Sequence, residues 1–198
     1  MALKVLGVSG SMREGSYGRR ALQLVLDAAR RRGAETSLLD LRSANLPIYI
    51  PDAPPTDASG HVRPVTEAVG WADALVLASP DYHGSMSGAM KNFLDYHGEE
   101  FTGKLFGYVC ASHEKGLTVM DQMRTAVRQC YGWSLPYGVS VHGEKDFDAA
   151  GRVVNPALER RLRMLGRDVV TYGTLLHEQW VADLAGDEPE TFAARYRK

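Results

Sequence analysis

Cysteine is scarce in this 198-residue chain: Cys110 and Cys130 are the whole supply. Two cysteines build no disulfide framework, and their separation is no metal-ligand spacing. Cys110 falls in an apolar strand and Cys130 in a helix, so both read as small buried hydrophobes rather than redox groups. Long apolar runs are missing too; none approaches the roughly 18–20 residues that span a bilayer. The opening MALKVLGVSG enters a strand almost at once, without the separate charged, apolar and cleavage regions of a secretory leader. Nor does one charge dominate: 23 basic residues against 24 acidic ones leave a formal net charge of −1. That balance provides neither the basic face suited to nucleic acid nor a polybasic membrane contact. A cytoplasmic location and a small-molecule partner are the expectations, with no nucleic acid and no membrane. Repeats, low-complexity tracts and linkers are also lacking, and one domain over residues 1–198 is expected.

What the chain does have is an alternation of strand and helix patterns. LKVLGV (3–8) reads as a buried strand, followed by a helix from Tyr17 to about Arg32 with Leu22, Val25, Leu26 and Ala29 at helical spacing. The basic run Arg30, Arg31 and Arg32, then Gly33, marks its carboxyl end. ETSLLDL (35–41) is the second strand. Residues 42–60 carry Pro47, Pro51, Pro54 and Pro55 and show no usable period, as in a long functional or contact loop. A helix over 61–72 leads to ALVLAS (74–79), apolar enough to be covered on both faces. The loop PDYHGSMSG and a helix through Asn92 and Leu94 precede a strand at 104–111. A helix over 117–131 and a fifth strand at 135–141 follow. Asn155-Pro156 supplies a cap and a first-turn proline for a closing helix whose apolar face runs Leu158, Leu162, Leu165, Val169 and Tyr172.

Strands separated by such helices predict an α/β fold, a doubly wound five-stranded parallel sheet with helices on both faces. Ligands of such sheets sit beyond the carboxyl ends of the strands. Three loops are therefore informative: SGSMREGS, SPDYHGSMSG and ASHEKG.

The first loop has the makings of an anion cradle. Ser9, Ser11 and Ser16 offer hydroxyls, Gly10 and Gly15 permit close approach of the backbone, and Arg13 carries a permanent charge. The helix beyond presents unpaired N–H groups and the positive end of its dipole. Gly10 and Gly15 have the four-residue gap of a nucleotide P-loop, but Ser16-Tyr17 stand where that loop needs Lys and Ser or Thr. There is no G-x-G-x-x-G either. A plain serine-capped turn is the competing interpretation.

The second loop looks like a platform for a flat ring. Pro80 stiffens the exit from the strand, Gly84 and Gly88 permit tight turning, and Tyr82 and His83 add aromatic surface. Backbone N–H and C=O groups across Asp81 to Ser85 are expected to be free to address the edge of a planar heterocycle. Ser87 is the expected cap of the helix that carries Lys91 and Asn92.

Together these two loops resemble those of the NADPH-dependent FMN reductase family, flavodoxin-like flavoproteins with a G-S-x-R-x-x-S phosphate loop and a P-x-Y-x-G-S segment followed by a K-N helix. Here these are Gly10 to Ser16, Pro80 to Ser85 and Lys91-Asn92, and the resemblance covers roughly residues 3–145. It implies a flavodoxin-like fold and FMN as cofactor, with Ser9, Ser11, Arg13, Ser16 and the Tyr17 and Gly18 amides on the phosphate. It further implies that Pro80, Asp81, Tyr82, His83, Gly84 and Ser85 cup the isoalloxazine. Ser112, His113 and Gly116 would then approach the other edge of the ring. The chain departs from the family at Tyr17 and His83, where Asn is common, and at His113-Glu114-Lys115, which replaces a more glycine-rich loop. By the same resemblance the flavin site lies at a dimer interface, so a homodimer or homotetramer is implied, with Tyr96, Trp133 and the 42–60 loop as candidates to cover it.

A flavin accepts hydride directly from a nicotinamide, so no protein nucleophile is sought and none stands in a recognisable setting. His61, His97, His142 and His177 read as structural or exposed, and His97-Gly98-Glu99-Glu100 as a solvated helix end rather than a metal site. The implied activity is hydride transfer from NADPH or NADH through FMN to a flavin, quinone, azo or metal-oxyanion acceptor. A flavodoxin-like electron carrier or partner-binding flavoprotein is the alternative. The near-zero net charge speaks against it, because such carriers are typically strongly acidic. A flavin-free regulatory relative is the third.

Overall fold

The computed structural model of the chain describes residues 1–52 and 60–197. Pro54 and Pro55 of the irregular stretch lie outside them.

Strands β1 (Lys4–Ser9), β2 (Glu35–Asp40), β3 (Ala74–Pro80) and β4 (Leu105–Ala111) are followed by two short strands, β5 (Trp133–Ser134) and β6 (Val139–Val141). All pair in parallel, in the order β2-β1-β3-β4-β5, with β6 also on β4. The expected fifth strand is therefore present but broken. Residues 133–134 pair with Leu105 and Phe106, residues 139–141 with Val109 to Ala111, and 135–138 leave the ladder between them. Pro136 has no N–H to donate there. At Gly138 a β-carbon would come within 2.4 Å of Met120 Sδ, so the chain passes too close to α5 (Leu117–Gln129) for a side chain.

Successive residues of the central strands point to opposite faces. Val5, Val76, Ala78 and Val109 enter a core closed by α1 (Tyr17–Arg30) and α7 (Pro156–Ala185). Leu6, Val8, Leu75, Leu77, Phe106 and Tyr108 enter the other, closed by α3 (Val62–Trp71), α4 (Gly88–Asp95) and α5. One-turn helices α2 (Leu41–Ala44) and α6 (Gly143–Asp146) complete the set. The irregular stretch thus begins with a helical turn, capped by Asp40 and ended by Asn45 in the left-handed region.

Helix α1 ends at Arg30, and Gly33 turns the chain at φ +87°. Asn155 caps α7 by accepting from the Ala157 and Leu158 amides, with Pro156 in the first turn. That helix runs much further than its apolar face suggested. Leu158, Leu162, Leu165 and Val169 are buried, but Tyr172 is 46 % exposed; Gly173 takes the inward position instead, against Leu3. Cys130 is the residue that ends α5, half-buried, and Cys110 is fully buried in β4.

His97 departs from the solvated reading. It is 3 % exposed, set among Phe93 and Phe101, and donates from Nδ1 to the Phe93 carbonyl at 2.8 Å. No cluster of metal ligands occurs among the described residues, and none of their helices is long and apolar enough to cross a membrane.

Candidate functional site

The strand order reverses direction between β1 and β3, and the loops that follow β1, β3 and β4 meet beyond that point. The Gly10 amide donates to the Ala78 carbonyl at 2.8 Å, and Ser87 Oγ donates to the Gly10 carbonyl at 2.6 Å. The same hydroxyl accepts from the Met90 amide and so caps α4. A β-carbon at Gly10 would lie 2.9 Å from that of Met90, so this backbone can run against α4 only without a side chain.

Beyond Gly10 the chain turns through Gly15 (φ +67°) into α1, capped by Ser16, whose hydroxyl accepts from the Arg19 amide. Ser11 Oγ accepts from the Arg13 amide at 3.2 Å. The amides of Ser11, Met12, Tyr17 and Gly18 find no acceptor among the described residues. Ser9, Ser11, Ser16 and Gly18 are buried, whereas Arg13 is exposed. This is a row of open donors around the positive end of a helix, suited to one phosphate group. Its rim carboxylate does not intrude, since Glu14 is exposed and faces Arg42.

Loop two is a tight hairpin. Tyr82 and Ser85 exchange both backbone hydrogen bonds (3.0 and 3.1 Å), with His83 (φ 57°) and Gly84 (φ 76°) between them. Two left-handed central residues define a type I′ turn. The turn accounts for His83: histidine, like asparagine, tolerates this region better than most residues.

The expectation of free backbone groups from Asp81 to Ser85 is overturned for most of the amides. Asp81 N–H donates to the Ala111 carbonyl, Tyr82 and Ser85 N–H to each other's carbonyls, and Gly84 N–H to Asp81 Oδ1. Among these five, only the His83 amide has no acceptor among the described residues. Asp81 is a staple: Oδ1 holds Gly84 and Oδ2 accepts from Ser112 Oγ at 2.8 Å, tying loop two to loop three. Tyr82 at the tip is 45 % exposed, a broad aromatic face beside a rigid turn.

Loop three is anchored by the Ser112 amide on the Val141 carbonyl and the Glu114 amide on Ser112 Oγ. His113 is exposed and stands edge-on to the His142 ring, centroids 5.8 Å apart. Gly116 starts α5 at φ +62°, and a β-carbon there would meet Cys110 Sγ at 2.6 Å. Beneath it, burial pushes the Cys110 thiol up to about 12, which leaves it unreactive.

The residues singled out on the three loops therefore gather at one end of the sheet, with Pro80 half-buried as the last residue of β3. Asn92 lies beside them in a supporting role, accepting from the Tyr49 amide and donating to the Pro47 carbonyl; Tyr96 Oη also donates to that carbonyl. Trp133 does not belong here: it pairs with Leu105 at the amino end of β4, the opposite end of the sheet. A groove of about 330 Å³ between Trp133, Tyr137, Tyr172 and Leu176 likewise lies along the β5 edge, away from these loops.

Two neighbours escaped the sequence reading. Gln122 of α5 accepts from Ser85 Oγ and the Met86 amide, each at 3.0 Å, and its amide reaches the Gly84 carbonyl at 3.4 Å. Arg20 of α1 lies against the Tyr17 ring and beside Gly15. Neither sits in a motif, and Gln122 is some 36 residues from its partners in sequence.

Known proteins share this sequence pattern and this fold. The chain is 31 % identical over 163 residues to an NAD(P)H-dependent FMN reductase of Pseudomonas aeruginosa, covering 77 % of this chain and 85 % of that one. It is 28 % identical over 144 residues to an NADPH azoreductase of a Bacillus strain, covering 71 % and 78 %. Among solved structures, a flavoenzyme NAD(P)H:acceptor oxidoreductase of Paracoccus denitrificans shares the fold, with a TM-score of 0.73, 18 % identity and coverage of 87 % and 98 %. The model of NADPH-dependent FMN reductases matches residues 3–146, the span that carries all three loops, and the chain belongs to that family.

Proposed function

We propose that this protein is an FMN-dependent NAD(P)H oxidoreductase acting on small acceptors of the quinone or azo class, with the three loops as its flavin site. The observation that carries this is the cradle of acceptor-free amides at the start of α1, set beside a rigid hairpin that presents an aromatic face. The residues suit the group. A phosphate needs open amides, hydroxyls and guanidinium; a flat ring needs a stiff, glycine-bearing edge. Relatives named as azoreductase and as quinone oxidoreductase support the acceptor class.

In this reading Ser9, Ser11, Arg13, Ser16 and the Tyr17 and Gly18 amides hold the phosphate. Pro80 to Ser85 flank the ring, with the His83 amide as the hydrogen-bond donor left to its edge. Ser112, His113 and Gly116 close the other side. Hydride acceptance from the nicotinamide and donation to the acceptor are chemistry that FMN supplies when bound. The chain contributes rigidity. Asp81, Gln122 and Ser87 fix the hairpin to loop three, α5 and loop one, so little order is lost when a ligand arrives.

One domain over residues 1–198, a cytoplasmic location and a homodimer or homotetramer belong to the same proposal. Two free cysteines suit a reducing compartment. Ile48 and Ile50 are 76 % and 61 % exposed on a segment pinned by Asn92, an apolar surface suited to a second subunit.

The test is an absorbance spectrum after FMN loading and desalting, then anaerobic NADPH. Retained flavin bands that bleach on NADPH addition are expected. Flavin retained but unbleached would favour an electron carrier, and a colourless protein that FMN does not bind would remove the flavin reading.

A further inference from the structure

Besides Arg13, the arginines Arg19, Arg20, Arg30 and Arg42 lie near the phosphate loop or along the helix behind it, and carboxylates pair with three of these four. Arg19 Nε lies 3.4 Å from Asp40, and Arg42 lies 3.5 Å from Glu14. Arg30 is tied to Asp27 at the far end of α1. Arg20 is different: it is half-buried, and its guanidinium makes no ion pair or hydrogen bond with any described residue.

Its position is fixed nonetheless. As the fourth residue of α1 it points back toward the helix start, as helical side chains do. The guanidinium carbon stands 5.5 Å from the centre of the Tyr17 ring. On the other side runs the turn at Gly151 (φ +80°), where a β-carbon would fall 2.6 Å from that same carbon. The carboxylate of this turn, Asp148, is already held by Arg152 at 2.8 Å. One terminal nitrogen of Arg20 sits 3.5 Å from where a β-carbon of Gly15 would be, on the rim of the loop. A packing role alone would be met by Leu or Met. A guanidinium clamped between a ring and a glycine turn, with its donors unmet and aimed at an anion loop, calls for an anion.

We propose that Arg20 is a second guanidinium of the phosphate site, holding the cofactor's phosphate from the Gly15 side while Arg13 holds it from the solvent side. This rests on the flavin reading above. It also gives a purpose to Gly151, whose missing side chain makes room for the guanidinium.

Riboflavin, which has the same ring system without the phosphate, separates this role from packing. Dissociation constants for FMN and riboflavin are measured by quenching of flavin fluorescence on the full chain, for the parent, Arg20→Gln and Arg20→Lys, with melting temperatures in parallel. Arg20→Gln is expected to weaken FMN binding about tenfold, the scale of one charge-assisted hydrogen bond, and to leave riboflavin within about twofold. Arg20→Lys keeps charge and stem and is expected to fall between, which preserves the test if the glutamine variant folds poorly. Equal weakening of both flavins, or FMN affinity unchanged in both variants, would overturn the role of Arg20. Failure of the parent to bind either flavin would instead overturn the flavin reading.

Discussion

His97 shows how much one side chain can set. Its Nδ1 faces a carbonyl and must therefore carry the proton, which leaves Nε2 bare, buried and without a partner among the described residues. Burial holds its pKa below the ordinary value, only partly opposed by the Phe93 carbonyl and the Glu100 carboxylate. The unfolded chain then takes up a proton near pH 6.5, where the folded one does not. Stability is thus undiminished above that pH and falls as pH drops through it. Urea midpoints at pH 7.5 and 5.5 are expected to differ more for the parent than for His97→Leu; identical differences would remove His97 as the cause. The sequence displayed His97 beside two glutamates, which resembles a polar surface. Only packing against Phe93 and Phe101 makes it a buried base.

At the scale of elements, the end of the fold that carries the three loops is held by side chains reaching across it. Gln122 meets three groups of loop two, and its replacement by Leu would leave the half-buried Met86 amide and Ser85 hydroxyl without these partners, at about 0.5–1.5 kcal/mol for each hydrogen bond lost. Gln122→Leu is expected to speed hydrogen exchange at the Met86 amide and to weaken FMN binding, with Gln122→Glu recovering part of the affinity. Parent-like exchange in the leucine variant would show the hairpin to be self-sufficient. On the opposite face α7 crosses α1 at Gly166, where a β-carbon would lie 2.3 Å from the Val25 carbonyl oxygen. Gly166→Ala forces the helices apart and is expected to destabilise by about 1–3 kcal/mol in denaturant titration, as overpacked cores do. These helices themselves were legible from caps and spacing: Ser87 and Asn155 cap as their positions implied, and Ser16 caps α1 as in the competing serine-capped reading of its loop. The broken fifth strand was not: Pro136 alone still permits an edge strand, and the closeness of α5 to Gly138 is visible only in the packed structure.

Across the whole molecule, the two ends of the sheet do different work. The carboxyl ends carry the loops, and the amino ends are closed by the C-terminal segment. Trp180 of α7 lies over Gly103, and Phe192 and Tyr196 lie against Trp180, with Tyr131 beyond. Arg197 donates to the Asp183 and Glu188 carbonyls and locks the return. A chain ended at Ala185 is expected to melt several degrees lower, since each kcal/mol is worth about 2–4 °C at this size. Its affinity for FMN is expected to stay within about twofold of the parent, because the lost contacts lie at the far end of the sheet. An equal melting temperature would show this closure to be dispensable.

The sequence by itself determined the alternating architecture, the helix caps, and which three loops follow the central strands, because these depend on local periodicity and on residues a few positions apart. It also placed a serine- and glycine-bearing turn at the start of α1, where first-turn amides have no partner within the helix. The tertiary structure alone decided which donors remain open. The amides of the 81–85 hairpin are mostly consumed by one another, by Asp81 and by the Ala111 carbonyl, while the Arg20 guanidinium keeps its donors and the Asp148 carboxylate of the adjoining turn goes to Arg152. Hydrogen-bond satisfaction is a matter of what lies within about 3 Å in space, and Ser112 with Asp81, or Gln122 with Met86, meet only once the sheet has brought distant segments together.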